Sequence, residues 1–410
     1  TGFCGGGGQS GPCRAGAGAL LSTRSIAVAS VGRSDFGLYE PVLERIRSDA
    51  ALELRLMVSG AHFDPRFGPT VREIEAAGYA YEPGLAMHPE SDDAVGVARA
   101  LSQGVQAFAR AFDVRRPDLL VLLGDRAEML APAMAALPFN IPQAHLYGGK
   151  VTEGAIDERV RHALTKMSHL HFVSCQTYAE RVVQMGEETW RVFNYGSPGL
   201  DRIHGQPRAS REALCKEVEL DPEQPFLLVT FHPVTLEPAG QDAQVAALLQ
   251  ALDQSGFAVV ATYPNADAGG LRIAAALEAF AARHPRRVRL LRNAGSRLYA
   301  DLMAHAAAMV GNSSSGIGEA PSFGLPVVNI GSRQDGAIKA VNVIDVGYAA
   351  GDVLAGIRRA TALAFRASLR GLRNPYGDGN AGARIAATLR DIPLDDRLLR
   401  KKFVDHPTHG

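Results

Sequence analysis

The sequence predicts an α/β protein made of two Rossmann-like domains that face each other across a cleft. Short runs that are apolar throughout alternate with longer amphipathic stretches, and this alternation stops in mid-chain and then starts again. Continuously apolar runs are typical of strands buried on both faces of a parallel sheet, and amphipathic stretches are typical of the helices that connect them. The length of 410 residues also exceeds what one hydrophobic core usually supports.

Composition argues against several classes of protein. Lys plus Arg and Asp plus Glu both number 43, so the formal net charge is zero, which disfavours nucleic acid and anionic membranes as partners. No apolar run approaches the ~20 residues of a membrane span. The four cysteines are scattered without metal-type spacing, so we expect a reduced, cytoplasmic compartment.

The first 24 residues are rich in Gly and Ala and lack hydrophobic periodicity. Their apolar segment is shorter than the ~7–15 residues of a signal-peptide core. We therefore predict a flexible leader at 1–24 and begin the folded part at Ser25.

The first predicted domain covers residues 25–203. Its predicted strands are 25–31, 52–60, 117–125, 141–149, 169–175 and 191–199. A polar, broken stretch at about 203–224 then separates the two domains, with the boundary placed between 203 and 204.

The second predicted domain covers residues 204–374. Its predicted strands are 226–233, 257–265, 287–293, 307–314 and 325–331. Residues 375–395 are expected to form a turn and a C-terminal helix that packs back on the first lobe. The basic tail at 396–410 is expected to be a solvated end.

Polar residues follow the apolar runs of both domains. Ligands of parallel sheets bind beyond the carboxyl ends of the strands, so these residues are candidates for a site in the cleft. Those at or just after the ends of the predicted strands include Arg33, His62, Asp125, Arg126, His232 and Arg333.

The segment GNSSSGIGEA at 311–320 follows a predicted strand and opens a predicted helix. Glycines, hydroxyls and free backbone N–H groups at a helix N-terminus form an anion site, which favours phosphate. Glu319 would lie about two turns into this helix, where its carboxylate could accept ribose hydroxyls. The alternative is a serine-rich helix cap without a ligand.

Three further motifs each have two interpretations. Arg33 could clamp a diphosphate from the turn VGRSDFG, or that turn could serve only to let Asp35 cap the helix. His232 could bind a ligand or be structural. Asp125, beside Arg126, could transfer a proton, or the two could form a helix-capping ion pair.

The segment 148–169 is dense in charged residues. At helical spacing Asp157 and Arg161 share one face, and so do Glu158 and His162. Half of these charges are expected to be ordinary pairs on the helix surface.

These segments together resemble the UDP-N-acetylglucosamine 2-epimerase family, in its hydrolysing branch that opens sialic-acid and legionaminic-acid pathways. The resemblance runs in order from about residue 25 to 392. The motifs that carry it are 32–37, 58–64, 122–130, 148–174, 192–201, 231–235, 311–320, 331–336 and 375–381. It implies the two-lobed glycosyltransferase-B fold, which agrees with the alternation described above.

The resemblance also implies how the nucleotide is bound. Arg33, Ser313 and Ser314 would hold the diphosphate, with His232 alongside it. Glu319 would hold the ribose. No cofactor and no metal are expected, since Arg side chains and helix-terminus N–H groups can stabilise a departing diphosphate.

The sugar side of the site is implied in the same way. His62 and Arg333 would line the pocket, Asp125 would be a catalytic carboxylate with Arg126 beside it, and Asp157 would be another acidic group at the sugar. The family's reaction removes the C2 proton of UDP-N-acetylglucosamine and expels UDP to give a 2-acetamidoglucal. Water then adds with inversion at C2 to release N-acetylmannosamine, and related enzymes lead us to expect a homodimer or homotetramer.

Two positions depart from the family pattern. Members carry a Glu directly before or after the double glycine that follows the fourth strand, whereas here Tyr147 and Lys150 flank it. Tyr147 could act as a general acid, or as a base if Lys150 depresses its pKa, and Glu153 could take over the acidic role. Ala337 stands where the family has an Arg.

We predict a hydrolysing 2-epimerase of UDP-N-acetylglucosamine or of a related UDP-acetamido sugar. Because of the two departures, a plain hydrolase or an enzyme of a different sugar nucleotide is the alternative. A glycosyltransferase of the same fold and a catalytically silent UDP-sugar-binding protein are the alternatives from other classes.

Overall fold

The computed structural model describes residues 23–63, 70–87, 93–152, 156–205, 207–234, 240–264, 269–292 and 294–405. Within these residues the chain forms two six-stranded sheets in which neighbouring strands are all parallel. The predicted α/β architecture with two Rossmann-like lobes is therefore confirmed.

The first lobe contains strands β1 to β6 and helices α1 to α6. Its strands are β1 Arg24–Ser30, β2 Leu52–Val58, β3 Leu119–Leu123, β4 Gln143–Leu146, β5 Leu170–Val173 and β6 Val192–Asn194. Its helices are α1 Arg33–Ser48, α2 Val71–Ala76, α3 Ala94–Val114, α4 Leu130–Ala136, α5 Ile156–Met167 and α6 Gln176–Gln184. The strand order is β2-β1-β3-β4-β5-β6.

Helix α7, Asp201–His204, leads from the first lobe into the second. The second lobe's strands are β7 Phe226–Thr230, β8 Ala258–Thr262, β9 Val288–Leu291, β10 Ala308–Gly311, β11 Val327–Ile330 and β12 Val343–Val346, in the order β12-β11-β10-β7-β8-β9. The helices that follow α7 are α8 Arg211–Glu217, α9 Gln241–Ser255, α10 Gly270–Arg283, α11 Gly295–His305, α12 Ser314–Gly318, α13 Ala350–Thr361, α14 Leu363–Ser368, α15 Ala381–Asp391 and α16 Asp396–Leu399.

Both sheets reverse their strand order at a central strand. The order reverses between β1 and β3 in the first sheet and between β7 and β10 in the second. Ligands of doubly wound sheets bind at such reversal points, beyond the carboxyl ends of the strands. Residues that follow these four strands are therefore in the right place to form a site.

The eleven predicted strands are all present, mostly shorter than predicted, and one strand was missed. This strand, β12, lies at the edge of the second sheet and contains Asp345, whose carboxylate accepts a hydrogen bond from Asn329 on β11. Because an edge strand can expose polar residues, β12 lacks the continuous apolar run on which the prediction relied.

The end of the chain returns to the first lobe. Ile385 and Leu389 of α15 are fully buried in the same cluster as Leu43 of α1, so the predicted packing of the C-terminal helix is confirmed. Two chain segments cross between the lobes at Gly196 and Gly377. A Cβ at Gly196 would lie 2.7 Å from the Cα of Gly377, and both residues have positive φ, so this crossing requires glycine.

The tail is not a solvated end over residues 396–405. Leu398 is buried, and the Arg191 guanidinium donates to the Leu398 carbonyl at 2.8 Å. The Lys401 ammonium lies 2.9 Å from the buried Glu187 carboxylate. The expectation was wrong because the basic residues find their partners on the first lobe.

The predicted leader lies outside the described residues except at its end. Arg24, which we assigned to the leader, begins β1 and donates hydrogen bonds to the carbonyls of Leu389 and Ile392. The domain limits at 203/204 and 374/375 stay a prediction. Among the described helices, none is both long and apolar enough to cross a membrane.

Candidate active site

A large cavity lies between the lobes, which we call the central cavity. It has a volume of about 800 Å³. The first lobe contributes Tyr147 and Lys150, and the second lobe contributes Ser314, Glu319 and Arg333. The predicted cleft thus contains residues from both sets of candidates.

Two further cavities adjoin the central one through shared lining residues. The second-lobe cavity, about 550 Å³, includes His232 and Ser313 and shares Glu319 with the central cavity. The first-lobe cavity, about 750 Å³, includes Arg126 and shares Arg202 with the second-lobe cavity. The three form a continuous lining along the gap between the lobes.

The serine-rich turn after β10 has the predicted position, but its helix is shorter than expected. The Ser313 hydroxyl caps α12 by accepting from the Ser315 N–H at 3.4 Å. Helix α12 ends at Gly318, so Glu319 directly follows a five-residue helix instead of lying two turns inside a longer one. Pro321 explains the early end, since proline disrupts the interior of a helix.

A chain of hydroxyl groups supports this turn from within the second lobe. The Ser313 and Ser315 hydroxyls are 2.8 Å apart, and the Tyr299 hydroxyl lies 2.8 Å from that of Ser315. The Tyr299 hydroxyl is also 3.1 Å from that of Thr230 on β7. Sequence reasoning missed Tyr299 because its contribution depends on how α11 packs beside the turn.

Glu319 lies where the central and second-lobe cavities meet. Burial raises the pKa of its carboxyl group to about 7, and the positive charge of Arg202 opposes this rise. The carboxyl group can therefore change its charge near neutral pH.

Asn312 joins the two second-lobe loops that carry His232 and Arg333. Its side chain accepts from the His232 N–H at 2.7 Å and donates to the His232 carbonyl at 2.9 Å. The Arg333 guanidinium donates to the Asn312 carbonyl at 3.1 Å. A single buried asparagine thus fixes the positions of both predicted site residues.

Asp125 follows β3 and is bound by Arg161 of α5. Nε of Arg161 donates to Oδ2 of Asp125 at 3.1 Å, and Nη2 donates to the same oxygen. Within the described residues Oδ1 accepts no hydrogen bond, and the Asp125 side chain is 32% exposed. One carboxylate oxygen is therefore held while the other is available to a ligand.

The buried Arg161 connects Asp125 to the central cavity. Its guanidinium also donates to the hydroxyl of Thr152 at 2.9 Å and to the carbonyl of Lys150 at 2.8 Å, and both residues line that cavity. Helical spacing placed Asp157 on the same face as Arg161, but the carboxylate that Arg161 binds after β3 is that of Asp125. In the part of the chain described, Asp157 makes no hydrogen bond or ion pair and is half-buried.

Glu158 lies in the same network. It accepts from the Thr152 N–H at 2.6 Å, from Arg161 at 2.8 Å and pairs with His162 at 2.9 Å. Burial alone would raise the pKa of Glu158, but the hydrogen bonds from Thr152 and His162 outweigh it and lower the pKa. The ionised form of Glu158 is thus favoured, and its carboxylate helps to orient Arg161.

Tyr147 follows β4 in a left-handed conformation, with a φ of 65°. Its hydroxyl lies 2.8 Å from that of Ser197. Burial raises the pKa of Tyr147 to about 12, although the hydrogen bond with Ser197 opposes this. The neighbouring Lys150 does not depress the pKa, so the side chain is suited to donate a proton and not to act as a base. Glu153, the other candidate, lies outside the described residues.

His62 is not presented to any of the three cavities. Its side chain is fully buried, with Nε2 2.8 Å from the Ser30 hydroxyl and Nδ1 3.1 Å from that of Thr70. Burial, aided by the charge of Arg126, lowers the pKa of His62 to about 4. The expectation that His62 lines the sugar-nucleotide pocket does not fit this geometry, in which the neutral ring supports the end of β1.

Arg33 is the first residue of α1, and Arg126 packs beside the start of this helix. A Cβ at Gly32 would be 3.1 Å from Cζ of Arg126, so the guanidinium packs directly on the turn before α1. Arg33 begins α1, and its side chain lies outside the described part of the structure. Asp35 accepts from the Val31 and Gly32 N–H groups at 3.0 Å each, which is the helix-capping role.

His145 of β4 contacts the loop that carries Asp125, and sequence reasoning missed it. Its Nε2 lies 2.8 Å from the Gly124 carbonyl, next to Asp125, and its Nδ1 lies 3.1 Å from the Thr165 hydroxyl. Burial lowers the pKa of His145 to about 4, so the ring is neutral. A histidine inside a predicted strand was the available signal.

The structure as described contains no cluster of His, Cys, Asp and Glu suited to a metal ion.

Comparison with known proteins agrees with this architecture. Residues 44–390 match the family model for UDP-N-acetylglucosamine 2-epimerase. A structure of UDP-GlcNAc 2-epimerase from Neisseria meningitidis, bound to UDP-GlcNAc, has a TM-score of 0.70 at 15% identity, covering 89% of this chain and 99% of that one. At this identity the likeness concerns the fold alone.

Two relatives are more similar in sequence. The GDP/UDP-N,N′-diacetylbacillosamine 2-epimerase (hydrolyzing) of Campylobacter jejuni is 36% identical, with 94% of this chain and 100% of the relative covered. The UDP-N,N′-diacetylbacillosamine 2-epimerase (hydrolyzing) of Legionella pneumophila is 35% identical, with 92% and 98% covered. Since these relatives and the family model each span most of the chain, the protein belongs to the UDP-N-acetylglucosamine 2-epimerase family.

Proposed function

We propose that the protein is a hydrolysing 2-epimerase that converts a UDP-linked 2-acetamido sugar into UDP and the free C2 epimer. The observation that carries this proposal is the half-held carboxylate of Asp125, tied through Arg161 to residues of a cavity whose lining also contains Ser314 and Ser315 of the serine-rich turn. A reaction that removes a proton from carbon and expels a diphosphate needs both a base and an anion-binding group.

The second lobe would bind the nucleotide. The hydroxyls and N–H groups of Ser313 and Ser314 can donate to the diphosphate, and Arg333 adds a positive charge from the lining of the central cavity, to which Ser314 also belongs. The Glu319 carboxylate would accept the ribose hydroxyls. These donors stabilise the negative charge that develops on UDP as it leaves.

Asp125 would act as the base. Its free oxygen takes the C2 proton while the bond between C1 and the diphosphate oxygen breaks, so that a C1–C2 double bond forms and UDP leaves with the electron pair. Arg161 holds the other oxygen of Asp125 and so fixes the direction of the carboxylate. A positioned base contributes about 10²–10⁴-fold to such a step.

Tyr147 would complete the reaction. Water adds to C1 of the 2-acetamidoglycal, and a proton returns to C2 from the opposite face to give the inverted centre. The raised pKa of Tyr147 keeps its hydroxyl protonated at neutral pH, which suits a donor. A phenol in place of the family's carboxylate is compatible with this half of the reaction.

The relatives favour a 2,4-diacetamido sugar as the substrate. Two relatives that are 35–36% identical are named for UDP-N,N′-diacetylbacillosamine, and one from Neisseria meningitidis that is 31% identical is named for UDP-N-acetylglucosamine. We therefore propose UDP-N,N′-diacetylbacillosamine as the preferred substrate and UDP-N-acetylglucosamine as the second candidate.

The experiment uses both nucleotide sugars in deuterated water with the full chain. Epimerised sugar that carries deuterium at C2, together with free UDP, is the expected result, with faster turnover of the diacetamido substrate. Unlabelled sugar of unchanged configuration would indicate plain hydrolysis and refute the proposal, and so would binding without turnover.

Asp125→Asn tests the assignment of the base. We expect turnover to fall by at least about 10²-fold with UDP affinity unchanged, because the amide cannot accept the proton. Asp113→Asn, at an exposed position of α3, is the matched control and should keep full activity. Full turnover by the Asp125 variant would remove this residue from the mechanism.

A further inference from the structure

Arg202 joins the two lobes at the mouth of the cleft. It belongs to α7, where the chain leaves the first lobe. Its Nη1 lies 3.0 Å from the Glu40 carboxylate on α1, and its Nη2 donates to the Ser296 hydroxyl on α11 at 3.0 Å. One planar guanidinium thus contacts a helix of each lobe.

Arg202 also lies beside the proposed nucleotide site. It lines both the first-lobe and the second-lobe cavity, and the second-lobe cavity contains Glu319 and His232. Its side chain is 34% exposed, so a ligand in the cleft can reach it. Sequence reasoning did not identify Arg202, because its contacts depend on how α1 and α11 approach each other.

We propose that Arg202 is a positioning residue for nucleotide binding, which fixes the lobes and Glu319 in the arrangement that accepts the ribose and diphosphate. This inference rests on the proposed function, in which Glu319 binds the ribose. It extends that function by assigning a role to a residue between the lobes.

The charges around Arg202 support this role. Glu40 and Glu319 are both acidic, and a nucleoside diphosphate is an anion, so removing Arg202 would leave the ligand facing carboxylates without this cation. A lysine would restore the charge but could not present the forked donors that contact Glu40 and Ser296 together. Substitution can therefore separate the effect of the positive charge of Arg202 from the effect of its contacts with Glu40 and Ser296.

The experiment measures UDP binding by calorimetry with the full chain. We expect Arg202→Met to weaken binding about tenfold, equivalent to ~1.4 kcal/mol, and Arg202→Lys to recover part of the loss. Ser296→Ala removes only the contact to the second lobe and should weaken binding by less. Arg110→Met, on the exposed side of α3, is the matched control and should bind as the unmodified protein does.

Kinetics and pH distinguish positioning from a general loss of structure. With the substrate, Arg202→Met should raise KM while kcat changes little. The UDP affinity of the unmodified protein should fall as the pH drops through about 7, where Glu319 takes up a proton. In Arg202→Met this fall should move to higher pH, because the charge that lowers the pKa of Glu319 is gone.

The other groups that face Glu319 do not mask this shift. Burial raises the pKa values of Tyr147 and Tyr299, so both stay neutral over this range. His232 lines the same cavity in both proteins, and the terminal phosphate of UDP is the same ligand group in both measurements.

Binding by Arg202→Met within twofold of the unmodified protein, with an unshifted pH profile, would overturn the inference alone. Failure of the unmodified protein to bind UDP would instead refute the proposed function and the inference together. A folded Ser296→Ala variant with unaltered affinity would show that the contact between the lobes is not needed.

Discussion

Replacing Glu319 by Gln tests the electrostatic account of the candidate site. Burial raises the pKa of Glu319 from 4.5 to about 7, which corresponds to about 3 kcal/mol of free energy against the charged form in the folded protein. Glutamine has nearly the same shape and never carries this charge. We therefore expect the variant to be more stable than the unmodified protein wherever Glu319 is ionised.

The sign of the effect depends on pH. Because the pKa of Glu319 is higher in the folded than in the unfolded chain, its contribution to stability is fully present below about 4.5 and is lost as the pH rises through about 7. The difference between the variant and the unmodified protein should be within about 1 kcal/mol at pH 5, and the variant should melt higher at pH 8.5. For a unit of 150–250 residues, 3 kcal/mol corresponds to roughly 6–12 °C.

The assay is thermal unfolding without nucleotide, followed from pH 5 to 9. Glu223→Gln, at an exposed position, is the control and should show the same small difference at every pH. A difference for Glu319→Gln that stays constant with pH, or a lower melting temperature at pH 8.5, would refute the reasoning. UDP affinity should fall in the same variant, since the amide accepts ribose hydroxyls less strongly than a carboxylate.

Two further predictions concern Tyr147 and Glu187. Tyr147→Phe should lower epimerase turnover by about 10²-fold, while UDP binding and the melting temperature change little. Tyr195→Phe is the control and should keep full turnover. Full turnover in the Tyr147 variant would exclude the phenol as the proton donor. Burial alone would raise the pKa of Glu187, but hydrogen bonds from His171, Lys166 and Lys401 lower it to about 2. This carboxylate therefore stabilises the fold above about pH 4.5, and the stabilisation is lost as the pH falls towards 2. Glu187→Gln should therefore destabilise the protein by about 3 kcal/mol at pH 7 and by much less near pH 2 in urea unfolding, and an equal loss at both pH values would contradict this.

The sequence predicted those parts of the fold that depend on local burial. A strand covered on both faces must be apolar throughout, so β3 and β10 could be located from composition alone, and the polar residues that follow them marked the cleft. The edge strand β12 and the bound tail could not be located, since their residues are polar and their partners are distant in sequence.

The contacts of the candidate site were less predictable than its position. Helical spacing suggested Asp157 as the neighbour of Arg161, but the strand order brings β3 beside β4 and so places Asp125 within reach of α5. A histidine after a strand is a common ligand-binding residue, yet the His62 side chain is buried against Ser30. Such pairings are set by tertiary structure and leave no periodic signal in the chain.

The return of α15 and the tail to the first lobe has a consequence for biosynthesis. The second lobe is in effect an insertion, because its residues lie between parts of the first lobe's core. A nascent chain emerging from the ribosome can finish the second lobe before the hydrophobic core around Leu43 receives Ile385 and Leu389. The first lobe therefore stays incomplete until α15 has been synthesised, and a chain truncated before α15 would expose apolar surface to chaperones and proteases.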